Sequence, residues 1–81
     1  MFSLQAKLDQ IAREREILSV LQSLARLGLR EGDAVVHVST RAQGQIAVQR
    51  DERPAVAVVR TVTGSTEAFD ADLWRAAGAV I

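Results

Sequence analysis

The chain has 81 residues, 48% hydrophobic and 25% charged, with ten basic against ten acidic side chains and no cysteine. That is enough for one thin-cored domain and too apolar for general disorder, and it excludes disulfide staples and thiolate metal sites. One histidine, His37, falls short of the ligand set of a zinc or iron centre, and no run nears the roughly 20 apolar residues of a membrane span.

The neutral balance also bears on partners. Phosphate-binding proteins draw affinity from released counterions and usually show a basic excess. Residues 1–29 carry one net positive charge and residues 30–81 one net negative, so neither half hides such an excess. Nucleic acid is therefore disfavoured as a partner. The opening Met1-Phe2-Ser3-Leu4-Gln5-Ala6-Lys7 turns polar too early for a signal peptide, and a cytoplasmic location without membrane contact is expected.

From Ser3 to Leu27 the chain lacks glycine and proline, and Leu4, Leu8, Ile11, Leu18, Leu21 and Ala25 recur at helical spacing. A helix over 3–27 follows, with Ser3 as its N-cap. Gly28 is placed to end it at C′, with Leu29 at C″ touching Leu24 at C3 in a Schellman motif. Toward its end the helix becomes apolar over a wide arc through Ile17, Leu18, Val20, Leu21, Leu24 and Leu27. An arc that wide predicts burial on two sides, one against the rest of the chain and one against a second subunit. A homodimer is expected, with Ile17, Leu18, Leu21 and Leu24 in its seam. Arg15 and Gln22 interrupt the heptads and rule out a long coiled coil.

After Gly28 the period changes to two. Strands are predicted at Ala34–Val38, Gln43–Gln49, Ala55–Val62 and Thr66–Phe69, with an edge strand at Ala79–Ile81. The β-branched run Ala55–Val62 is expected at the centre of the sheet. Between them lie a polar loop at Ser39–Ala42, a charged turn ending in Pro54, a turn at Thr63–Ser65, and a tight helical turn at Asp70–Leu73 capped by Asp70. Short, evenly spaced strands suggest a small closed barrel. The expected fold class is α+β, mainly β: a helical segment over 1–29 and a five-stranded barrel over 30–81.

Gly32-Asp33-x-Val35-x-His37, Gly44-x-Ile46, Val56-x-Val58, Gly64 and Leu73 together resemble the SH3-like or Tudor-like barrel, over residues 32–74. The opening is similar to barrels attached to bacterial helicases and transcription-coupling proteins. In that family Gly-Asp makes the turn into the first strand, and the later glycine permits a bend in the second. The resemblance implies a binding module, with a protein of the transcription machinery or its regulation as the expected partner and a nucleic-acid-binding barrel as the alternative. Gly44-Gln45-Ile46 also resembles type II dihydrofolate reductase, which shares the small barrel. The stretch Glu67-Ala68-Phe69-Asp70, however, lacks the glutamine and tyrosine of that enzyme's Val-Gln-Ile-Tyr segment. Reductase activity is not expected, nor is any catalytic site, metal or cofactor.

The expected partner-binding residues are Trp74, Arg41, Arg60 and His37. Trp74, the only tryptophan, suits an interface anchor or a place between helix and barrel. His37 has no nucleophile or orienting acid near it in sequence and reads as a structural or rim residue. Arg41, Arg50, Arg53, Arg60 and Arg75 could gather on one face, although Asp51, Glu52 and Glu67 interleave them. The pairs Asp70/Asp72 and Asp51/Glu52 are explained by caps and solvated turns.

Overall fold

The computed structural model describes residues 4–79. Helix α1 (Leu4–Arg26) is followed by β1 (Ala34–His37), β2 (Gln43–Gln49), β3 (Val56–Thr61), β4 (Thr66–Ala68), β5 (Trp74–Ala76) and a 3-10 turn at Ala77–Ala79. The α+β, mainly β reading holds. Ser3, expected as the N-cap, lies outside the described residues.

The helix stops as its sequence directs. Gly28 takes φ 75°, a conformation that costs glycine nothing. Its N–H donates to the Ala25 carbonyl, and the Leu29 N–H donates to the Leu24 carbonyl, both at 2.9 Å. These are the two bonds of a Schellman motif, and Leu24 and Leu29 are both buried beneath it.

The five strands form one antiparallel sheet in the order β4-β3-β2-β1-β5. The middle place belongs to β2 and not to β3, because β5 returns to pair with the free edge of β1 and adds a strand on that side. A strand that the sequence does not announce forms at Trp74–Ala76. Asp70 folds the chain back at once: its carbonyl accepts the N–H groups of Leu73 and Trp74, and its carboxylate accepts that of Asp72 at 2.9 Å. Strand pairing therefore starts at Trp74, opposite His37. Ala79 belongs to the 3-10 turn, and Val80 and Ile81 lie outside the described residues.

Helix and sheet share one core. Leu24, Leu29, Val35, Ile46, Val59 and Trp74 form its buried cluster, with Val20, Ala57 and Phe69 packed against it. The cross-strand pair Ile46–Val59 sits at its centre. The molecule is nevertheless 53 Å long and 17 Å thin. A helix of 23 residues is about 34 Å long, and only its last turns reach the core.

Candidate interaction site

Leu24 fixes the rotation of α1 about its own axis. It is 2% exposed, locked in the core by the Schellman stop. Each helical residue advances by about 100°, so every other position follows from Leu24. Ile17, Val20 and Leu21 share its side and are half-buried. That side continues toward the N-terminus as Ala6, Gln10 and Arg13, which with Asp9 and Arg53 of the β2–β3 turn line a hollow of about 280 Å³. Leu4, Leu8, Ile11 and Leu18 lie about 150° round from it. They are 73%, 51%, 47% and 53% exposed.

The first half of the helix is exposed all round, with Ala6, Gln10 and Arg13 on the side of its own domain and the large apolar side chains on the side away from it. The seam expected from Ile17, Leu18, Leu21 and Leu24 divides accordingly. Leu24 is spent in the protomer's own core and offers no surface, Ile17 and Leu21 lie along the sheet-facing side, and only Leu18 belongs to the outer stripe. Leu4, Leu8 and Ile11 are visible in the helical periodicity. Their outward direction is not, because it depends on which apolar stripe the sheet takes. The available signal is the lack of any large apolar side chain at Ala6, Gln10 and Arg13 on the opposite side.

The expected partner-binding residues separate as well. Trp74 is 3% exposed and leaves a partner nothing to touch. Its ring meets His37 edge-to-face at 5.0 Å. His37 is the hub of the β1–β2 turn: its Nδ1 accepts the N–H groups of Ser39 and Thr40 at 3.2 Å, and its main chain bonds both Arg41 and Ala42. Arg41 closes the turn with φ 64° and, with His37 and Arg75, borders a hollow of about 190 Å³. Arg60 stands apart, beside Gln45 and Thr61 over a cleft of about 430 Å³. Arg53 faces the helix across the hollow it shares with Gln10 and Arg13, and Arg50 is taken by Glu31. The five arginines make no single basic face.

Glu31 was not singled out by sequence, and a partner 19 residues away gave no local sign of it. Its carboxylate receives a two-pronged contact, Arg50 Nη1 to Oε2 at 2.6 Å and Nη2 to Oε1 at 2.8 Å, together with the Val48 N–H at 3.1 Å. The Arg50 hydrogen bonds, helped by the Val48 N–H, hold Glu31 at about 2, below the ordinary 4.5. A lowered carboxylate stabilises the fold fully above pH ~4.5 and loses that contribution as pH falls toward ~2. The pair is solvent-accessible, so its effect is modest. Glu31→Gln should lower Tm by about 3 °C at neutral pH. The gap from wild type should close on acidification to pH ~2. A gap that persists there would show that the clasp acts through packing and not charge.

Among the described residues no group of three or more His, Asp or Glu side chains could hold a metal, and no helix is long and apolar enough to cross a membrane. Comparison of the chain with known protein families, with curated proteins and with solved structures finds no match.

Proposed function

We propose that this chain is a non-catalytic protein-interaction module, an SH3-like barrel carrying a helical arm whose outer face makes the contact. The exposed Leu4, Leu8, Ile11 and Leu18 on one side of the helix carry this reading. Burying a Leu or Ile is worth about 1.5–3 kcal/mol, and several of them exposed along one side of a helix mark an interaction surface. The helix cannot relieve that exposure by turning, because Leu24 pins it. The return of β5 to β1 and the Gly32-Asp33-x-Val35-x-His37 opening support the barrel. The apolar character of the stripe, the dispersed arginines and the zero net charge favour protein over nucleic acid.

The test is positional. A photo-crosslinking benzoylphenylalanine in place of Leu8, on the outer face, is expected to give protein adducts in cells. The same group in place of Arg13, on the inner face, is expected to give none. Equal labelling from both positions, or none from position 8, overturns the reading. Adducts destroyed by nuclease overturn it in favour of a nucleic-acid-binding barrel.

A further inference from the structure

We infer that the outer stripe is covered by a second copy of this chain, its helix antiparallel and held in register by Lys7 of each copy against Glu14 of the other. The inference rests on the interaction-module reading and names the partner of that face.

Leu4, Leu8, Ile11, Arg15 and Leu18 recur at alternating spacings of four and three, which is the seam of a two-helix contact. Lys7 and Glu14 flank this seam on one side, a heptad apart, and both are exposed. The other flank, Gln5, Ala12 and Ser19, carries no charge. Among the described residues the ion pair is Arg50–Glu31, so Lys7 and Glu14 are not paired within the protomer.

Orientation follows from this layout. Parallel helices would set Arg15 against Arg15 and would place Lys7 and Glu14 opposite the uncharged flank. Antiparallel helices bring the charged flank onto itself. With the two-fold axis beside Gln10, Leu8 packs on Ile11 of the second copy, and the aliphatic stem of Arg15 covers its Leu4. Lys7 then faces Glu14 twice. Sliding one copy by a heptad sets Glu14 against Glu14 and Leu4 against Gln22. This register pairs Leu8 with Ile11 twice and gives each Lys7 a Glu14, while Leu18 falls beyond the described residues of the second copy. The contact is isologous and closes on itself. Each sheet packs on the Leu24 side of its own helix, about 150° round from the seam, so it lies outside the contact.

Charge reversal tests the register separately from the surface. By sedimentation at tens of micromolar, the wild-type chain should be a dimer. Lys7→Glu and Glu14→Lys should each weaken it about tenfold at low ionic strength, since each turns two attractions into two repulsions. An equimolar mixture of the two variants should regain wild-type affinity as a heterodimer, because every facing pair is again opposite in sign. The double variant should regain it as a homodimer. A wild-type dimer indifferent to these changes overturns the register. A wild-type monomer whose position 8 still labels another protein overturns self-pairing while leaving the interaction-module reading intact. A monomer that labels nothing overturns both.

Discussion

Trp74→Ala is expected to cost about 3–5 kcal/mol, the usual range for emptying a large aromatic site in a core. A domain of this size has about 4–12 kcal/mol in total, so the variant should lose a large share of its stability and unfold at a much lower denaturant concentration. The indole is 3% exposed, in one cluster with Leu24, Leu29, Val35, Ile46 and Val59, and so touches helix and sheet together. Its removal also frees the His37 ring from its edge-to-face contact, loosening the β1–β2 turn that His37 organises. Denaturant unfolding followed by circular dichroism measures the loss. Trp74→Phe, which keeps an aromatic ring, should cost less than half as much and remain folded. An alanine variant within 1 kcal/mol of wild type would mean that the indole does not join helix to sheet.

That role separates what the sequence makes legible from what it does not. The helix, its stop at Gly28 and four of the strands follow from local chemistry: a change of period, a left-handed glycine, and β-branched runs between turn residues. Strand β5 has no compositional signal: Trp74-Arg75-Ala76 is made a strand by the Asp70 turn that aims it along β1. Trp74 invites reading as a surface anchor because its composition does not reveal its burial. Leu18 and Leu24 both appear as apolar helix positions, and only the packed sheet tells them apart. The Glu31–Arg50 clasp joins residues brought together by β2 and the turn before β1, a long-range product of the fold.

Gly44→Ala should be nearly as damaging as the loss of Trp74, for the opposite reason. Resemblance to SH3-like barrels suggests that this glycine serves a bend in the second strand. The structure gives it another role. Its φ is not in the left-handed range, unlike that of Gly28, Gly32 or Gly64. What it lacks is room: a Cβ there would lie 2.6 Å from Val59 Cγ1 and 2.7 Å from the Arg60 carbonyl oxygen. Val59 is fully buried and cannot swing out, and Arg60 is held between β2 and β4 by pairing on both sides. The methyl group must therefore push β3 away from β2 at the centre of the sheet. Overpacking of this kind costs about 1–3 kcal/mol where side chains can adjust, and the backbone clash places this site at the top of that range. At about 4–8 °C per kcal/mol, Tm should fall by more than 12 °C. Gly28→Ala provides the contrast, since nothing lies within 4 Å of its Cβ and the cost there is conformational, about 1 kcal/mol for a left-handed alanine. Thermal melts of the two variants separate the explanations. A Gly44→Ala loss no larger than that of Gly28→Ala would mean that β2 and β3 are not packed closely enough to require a glycine.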